Sequence, residues 1–230
     1  MPVLTPRLLT IANMIGHGTT ADIGADHALL SIYLVKKNLV HSSIVTDINS
    51  GPLLRASQAV NKSGLSNYIQ VRQGNGLRPI ASGEADTIII AGMGGTVISE
   101  IIADDWDKSE SFKSFILQPM TKPEVLRAVL AARGWPILDE RAVRDRGKWY
   151  VIMQYCPGGQ PYALTNLALE VGPNILMADS QLKRDYISHW RNKYLKIYQN
   201  LVKSTRPKNE KSAREYEARI RCLEDLLNET

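Results

Sequence analysis

Cysteine is nearly absent from this 230-residue chain: Cys156 and Cys222 are the only two, and neither has a CxxC or Cys/His ligand spacing. Their scarcity argues against a zinc-built or disulfide-built framework and makes a reducing cytoplasm the expected setting. No metal is expected. Long apolar runs are missing too. None approaches the ~18 residues that a membrane span needs, so no membrane association is expected. The first ten residues lack the basic stretch and apolar core of a secretory leader. What remains is ordinary globular composition, 44% hydrophobic and 22% charged, enough for one sizeable core and an appendage.

Charge is unevenly placed. Residues 1–178 hold 16 Lys and Arg against 15 Asp and Glu, whereas residues 179–230 hold 12 against 8. Between Lys183 and Arg214 the count is 10 against 2. Such a cationic segment suits a polyanion such as nucleic acid, although a solvated lysine-rich helix face has the same composition.

Hydrophobic spacing predicts an alternation of helices and strands. A short helix over 6–16, closed by Gly16, precedes a strand at 19–24 and a helix at 27–38. A strand at 43–48 and a helix at 51–63 follow, with Gly64 as the stop. Strands are expected at 68–72 and 86–91, a helix at 95–103, a strand at 112–118 and a helix at 122–133. The run Asp86-Thr-Ile-Ile-Ile-Ala91 has the continuous apolar character of a strand buried on both faces. Two further strands, 136–143 and 149–155, are joined at Asp145-Arg-Gly-Lys148, a connection too short for a crossover helix, so the last strand is expected to be antiparallel. The pattern is that of a doubly wound α/β sheet of Rossmann-like methyltransferase type, with its last strand reversed, rather than of a dinucleotide dehydrogenase. After Pro157-Gly-Gly159 the texture changes. Leu182, Tyr186, Trp190, Tyr194, Ile197 and Leu201 share one face of a helix over 179–204. Arg206-Pro207 breaks it, and Tyr216, Ile220, Leu223 and Leu227 continue the pattern over 209–228. An antiparallel coiled-coil hairpin is expected. Residues 1–160 and 161–230 therefore read as a catalytic domain and a helical, nucleic-acid-binding region.

In an open parallel sheet, ligands bind beyond the carboxyl ends of the strands, where strand order reverses. Four motifs fall at such ends. The first is Asp22-Ile-Gly-Ala-Asp-His27. Gly24 permits close backbone approach, while Asp22 and Asp26 suit a cationic or amine-bearing ligand and would repel a pyrophosphate. S-adenosylmethionine carries both an ammonium and a sulfonium. The motif is not GxGxxG, because Asp26 stands where the second glycine would, which argues against NAD. An ordinary turn with an aspartate cap is the plainer reading of the same residues. The second is Asp47, followed by Ile48, at the separation from Gly24 where a carboxylate accepts ribose hydroxyls. In the third, Gly74-Asn-Gly-Leu77, the amide of Asn75 beside Gly76 can read an adenine edge, and an Asn-Gly turn explains it equally well. The fourth, Ala91-Gly-Met-Gly-Gly-Thr96, places Gly92 and Met93 close to any ligand. Exocyclic-amine methyltransferases carry Asn-Pro-Pro-aromatic at this point; its absence argues against N6 methylation of adenine.

Together Arg7-Leu-Leu, Ala21-Asp-Ile-Gly-Ala-Asp-His-Ala28, Ile32-Tyr-Leu34, Gly76-Leu77, Ile90-Ala-Gly-Met-Gly-Gly-Thr96 and Leu117-Gln-Pro119 resemble the bacterial tRNA (adenine-N1)-methyltransferase family called TrmK. So do Gly134-Trp135, Asp139-Glu140, Leu164-Thr165 and Gly172-Pro173, and the likeness runs over roughly residues 5–225. The resemblance implies a Rossmann-like methyltransferase domain with a C-terminal coiled-coil hairpin, S-adenosylmethionine as cofactor, and methylation of N1 of adenine 22 in tRNA. Three positions depart from the family pattern: Asn75 for Asp, Ser31 for Pro and Met120 for Asn.

With that chemistry, Asp22, Gly24, Asp26, His27, Asp47, Ile48, Asn75, Gly76, Gly92 and Met93 are expected to contact the cofactor. Asp26 is the candidate carboxylate to stabilise the charge that methylation creates on the base. His27 is the candidate for placing the base or removing a proton late, and Gln118 for hydrogen-bonding it. Lys183, Arg184, Arg191, Lys193, Lys196 and Lys203 are expected to grip the tRNA backbone. A monomer is expected. Two other readings share part of the pattern: a small-molecule methyltransferase, which would not need the basic hairpin, and an RNA-binding protein with a vestigial cofactor pocket.

Overall fold

The computed structural model describes residues 2–177, 181–203 and 208–228. The chain divides into two compact units, Met1–Ala163 and Leu164–Thr230.

The first unit opens with α1 (Pro6–Ala12), β1 (Thr19–Ile23), α2 (Leu29–Lys36), β2 (Ser42–Asp47), α3 (Ser50–Ser63) and β3 (Ile69–Gln73). It continues with β4 (Thr87–Met93), α4 (Gly95–Ala103), α5 (Trp106–Glu110), β5 (Ser114–Pro119), α6 (Pro123–Arg133), β6 (Ile137–Asp145) and β7 (Lys148–Tyr155). The strands form one seven-stranded sheet in the order β3-β2-β1-β4-β5-β7-β6. β1 to β5 pair in parallel, and β7 runs antiparallel to both β5 and β6, as the expected closing hairpin requires. β1 and β4 lie side by side while the chain leaves them toward opposite edges. The strand order therefore reverses between them, and a crevice opens beyond their carboxyl ends.

The central strands are buried on both faces. Ile88, Ile89 and Ile90 are fully buried, as are Phe115, Ile116 and Leu117. The two-residue period sends Ile89 and Ile116 into a cluster with Ile11, Leu34, Ala56 and Val60 of α1 to α3. Phe115 points the other way, into an aromatic group with Phe112 and Trp135, whose rings lie 6.1 and 4.8 Å from it. The β6–β7 hairpin turns in two residues, Arg146 and Gly147, both at positive φ, the turn whose twist matches the strands.

Three local expectations are corrected. α1 ends at Ala12 rather than at Gly16, because Met14 N–H turns back to the Ile11 carbonyl and tightens the last turn. α2 begins at Leu29 rather than at 27, because His27 and Ala28 take the left-handed conformation, with φ of 64° and 52°. Asp26 and His27 thus lie on a loop at the carboxyl edge of the sheet. The short α5, capped by the Asp105 side chain at Lys108 N–H, was not foreseen.

The second unit comprises α7 (Asn166–Val171), α8 (Pro173–Met177), α9 (Gln181–Val202) and α10 (Lys208–Asn228). Tyr194 of α9 meets Tyr216 of α10 with rings 5.4 Å apart, and earlier in α9 Arg191 meets Glu224 later in α10, so the two helices run antiparallel. Tyr186, Trp190 and Tyr194 are buried on the expected stripe, joined by Ile187, which the spacing did not single out. Leu182 is a correction: it is exposed, one residue into the described part of α9. Glu170 of α7 accepts from both Tyr194 Oη and Arg219 Nη1, each at 2.6 Å, tying the short helix to the pair. The expected break at Arg206-Pro207 and the helix residues at 179, 180 and 204 lie outside the described residues. No described helix is long and apolar enough to cross a membrane.

Candidate active site

Two cavities open at the carboxyl edge, and Gly24 lines both. The first, of about 420 Å³, lies over the ends of β1, β2 and β3 and against α4. Asp47, Ile48, Asn75, Gly76 and Met93 line it. Asp47 is fixed at the end of β2: its Oδ1 accepts from Asn49 N–H at 2.7 Å, and its carbonyl accepts from Gly74 N–H at 3.0 Å. Gln73 Nε2 donates to the Ile48 carbonyl at 3.1 Å, so the loops after β2 and β3 hold each other. Glu100 of α4 and Asp104, the residue that ends that helix, face the same space, and Arg78 pairs with Asp104 at 3.1 Å. The sequence reading missed both acids. Their spacing was a usable signal, because Val97, Glu100, Ile101 and Asp104 follow the i, i+3, i+4, i+7 rule for one helix face.

The second cavity, of about 280 Å³, is lined by Asp22, Gly24, Asp26 and Gly92, with Arg7 and Leu29 among its other walls. Gly92 reaches it because the β4–β5 register shifts between Ala91 and Met93, a bulge that re-aims the strand end. Gly24, at φ +72°, sits at the junction of the two cavities, and a Cβ there would run into the Met93 methyl group. That space is open only because position 24 has no side chain.

The two aspartates of the first motif differ electrostatically. Asp22 is buried at 6% exposure, and burial pushes its carboxyl up to about 7 against the lowering effect of the Ser31 hydroxyl, 3.5 Å away. Ser31 itself accepts from Ser43 Oγ at 2.9 Å, and Ser43 from Thr20 Oγ1 at 3.0 Å. Asp26 is half exposed, and the Arg55 guanidinium donating to it at 2.9 Å holds its carboxyl below the usual range, with His27 at 3.5 Å as a lesser contributor. Arg55, which lies 29 residues away on α3, gave no sequence signal. His27 meets Asp26 on the loop. Gln118 is fully buried; its Oε1 accepts from Arg7 Nη1 and its Nε2 donates to the Pro119 carbonyl at 2.9 Å.

These residues fit a ligand with a nucleoside at one end and an ammonium at the other. Carboxylates without a basic cradle line the first cavity, which disfavours a pyrophosphate, and a buried carboxylate waits in the second. Residues 4–153 match the family model described as "Methyltransferase domain". The chain is 39% identical over 170 residues to the tRNA (adenine(22)-N(1))-methyltransferase of Bacillus subtilis (strain 168), covering 74% of this chain and 71% of that protein. The chain belongs to the tRNA (adenine(22)-N1)-methyltransferase family.

Solved structures agree along nearly the whole length. The B. subtilis tRNA methyltransferase TrmK superimposes with a TM-score of 0.83 at 31% identity, covering 98% of this chain and 99% of that one. A Streptococcus pneumoniae structure in complex with S-adenosyl-L-methionine gives a TM-score of 0.83 at 27% identity, covering 98% and 100%. The expected family, the Rossmann-like methyltransferase fold and the C-terminal helical hairpin are therefore established for this member of the TrmK family.

In the second unit, the basic residues expected to hold nucleic acid divide by environment. Arg191 pairs with Glu224 at 2.6 Å, and Lys193 Nζ lies 3.9 Å from the Trp190 ring centroid. Lys193, Lys196 and Lys203 are exposed, whereas Lys183 and Arg184 are half-buried.

Proposed function

We propose that this protein methylates N1 of adenine 22 in tRNA, using S-adenosylmethionine, in the cytoplasm. The observation that carries the reading is the junction at Gly24, where an acidic, nucleoside-sized cavity meets a second cavity that contains Asp22 and Asp26. The family supports the same reaction: the B. subtilis relative carries that activity in its name.

Asp47 would accept the ribose hydroxyls, Asn75 would read the adenine edge of the cofactor, and Asp22 would take its ammonium. Bound there, S-adenosylmethionine supplies an electrophilic methyl carbon on a good leaving group. N1 of adenine is a neutral lone-pair nucleophile at pH 7, so no proton must leave before attack. The task of the chain is to position the base in line and shield it from water. Transfer leaves positive charge on the base, and Asp26, kept ionised by Arg55, would be the carboxylate that stabilises it. His27 beside it is the group available for a late proton transfer. Because N1 lies on the pairing edge, the base must be met unpaired or flipped out of its stack. The exposed lysines Lys193, Lys196 and Lys203 offer backbone contacts alongside Lys183, Arg184 and Arg191, with the salt dependence that such contacts carry.

Incubation with labelled S-adenosylmethionine and unmodified tRNA is expected to yield 1-methyladenosine at position 22 on nucleoside analysis. Cofactor binding without transfer to any tRNA would overturn the substrate assignment and favour a small-molecule acceptor. Replacing Asp26 by Asn is expected to lower kcat by roughly 10²- to 10³-fold, the scale of losing one electrostatic stabiliser. Retained turnover in Asp26→Asn would remove that carboxylate from the chemistry.

A further inference from the structure

The β6–β7 hairpin projects past the carboxyl edge of the sheet. β7 runs antiparallel to β5 with Met153 opposite Leu117, so the same register sets Val151 level with Pro119, the last residue of β5. Tyr150, Trp149 and Lys148 continue beyond that level, and at the rise of an extended strand Lys148 stands about 10 Å out from it. The projection rises beside the second cavity: the guanidinium carbon of Arg7, in the wall of that cavity, lies 5.6 Å from the Tyr150 ring centroid. α1 packs on both strands of the hairpin and braces its base.

Arg144, Arg146 and Lys148 are exposed at the tip, and the one carboxylate among them, that of Asp145, is buried. Further down β6, Arg141 pairs with Asp139 at 2.8 Å, whereas among the described residues no carboxylate lies within ion-pair distance of the three tip cations. A fourth cation stands on the neighbouring loop. Lys122 follows β5, is exposed and is likewise without an ion pair among the described residues, and its φ of 53° is left-handed. Gly95 N–H donates to the Thr121 carbonyl at 2.7 Å, and a Cβ on Gly95 would run into the Lys122 carbonyl, so this loop is clamped on α4. A non-glycine residue held left-handed costs free energy, and such positions gather at functional sites.

Edge strands carry cations to repel other strands, and β6 is an edge. That duty is spread along a strand. These cations crowd at one end, beside the cavities, and Lys122 is on no edge strand. Exposed cations without carboxylate partners, around the opening where the target base would enter, suit phosphates.

We propose that the tip of the β6–β7 hairpin, together with Lys122, binds the phosphate backbone of tRNA next to the target adenine. The assignment rests on the reading of the substrate as tRNA.

The test is tRNA affinity as a function of salt for the triple variant Arg144→Thr/Arg146→Asn/Lys148→Thr. Thr suits an exposed strand and Asn-Gly is the favoured pair for this turn, so the hairpin is retained. The variant is expected to bind tRNA roughly 10- to 100-fold more weakly at low salt, with the slope of log affinity against log salt reduced by about 2–3. Its melting temperature and its affinity for S-adenosylmethionine should match the native values. Arg144→Lys/Lys148→Arg, which keeps the charge, should keep the native slope. Neutral methylphosphonate linkages beside adenine 22 should weaken the native protein more than the triple variant, against the same tRNA with ordinary phosphates. A triple variant with native affinity and slope would overturn the proposal and leave the cations as edge protection. Parallel loss of tRNA and cofactor affinity would overturn it in favour of a structural role, and equal losses from the neutral linkages would place the tip elsewhere on the tRNA. A native protein with no affinity for tRNA would instead sink the substrate reading.

Discussion

Replacing Asp22 by Asn is expected to weaken cofactor binding by roughly 30- to several-thousand-fold while making the ligand-free protein more resistant to heat at pH 8. The two effects have one cause. The Asp22 carboxyl is raised from 3.8 to about 7 because burial disfavours its charged form. A group whose folded pKa is raised contributes stability that is fully present below its unfolded value and is lost as pH rises through the folded one. Between about pH 4 and pH 7 the ligand-free protein therefore gives up stability at this position, on the order of a few kcal/mol at most by the linkage relation. Asn has the same shape and no charge to desolvate, so the variant should escape that loss. The cofactor's ammonium would provide the missing partner, and removing one side of such a buried contact costs about 2–5 kcal/mol, which is roughly 30- to several-thousand-fold in affinity. Thermal unfolding and calorimetry at pH 6 and pH 8 check both halves. Native affinity should also fall below pH 7, where binding must first displace the proton. Equal melting temperatures at pH 8 together with equal affinities would show that Asp22 is neither strained nor a ligand.

The second large effect lies away from the site. Arg127 of α6 and Glu140 of β6 form an ion pair at 2.7 Å with both side chains wholly buried, in a core that also holds Trp135 and Tyr155. Arg127→Met leaves the Glu140 carboxylate without its countercharge, and breaking a buried pair from one side typically costs about 3–5 kcal/mol. For a chain of this size that corresponds to a drop in Tm of roughly 6–20 °C. The double variant Arg127→Met/Glu140→Leu should regain most of the loss, because two apolar groups need no countercharge. Equal destabilisation of the single and double variants would show that packing, rather than the stranded charge, dominates.

Much of the architecture was legible because it is written locally. The run from Thr87 to Ala91 could only be a strand covered on both faces, and Ile88 to Ile90 are fully buried in mid-sheet. Gly64 closed its helix where the spacing stopped, and the short Asp145–Lys148 connection allowed nothing but a hairpin. The short helices α5, α7 and α8 gave too few turns for a period to show. Leu182 fitted the stripe of α9, yet it lies outside the stretch in which that stripe is covered.

The same division runs through the site. Sequence alone determined which residues stand at the carboxyl ends of β1 to β4, since turn glycines and strand periodicity place Asp22, Gly24, Asp47, Asn75 and Gly92 there whatever the rest of the chain does. It also placed two acids in the first motif and put the catalytic expectation on Asp26, without fixing the solvation of either. Only the tertiary structure decided that Asp22 is buried and pushed toward neutrality while Asp26 is exposed and held ionised by Arg55. It likewise brought Arg7 to Gln118, 111 residues along the chain, and turned Glu100 and Asp104 onto the first cavity. Turn chemistry and periodicity are properties of neighbours in sequence, whereas solvation and charge pairing depend on which strands lie side by side. That order is set by packing of the whole sheet.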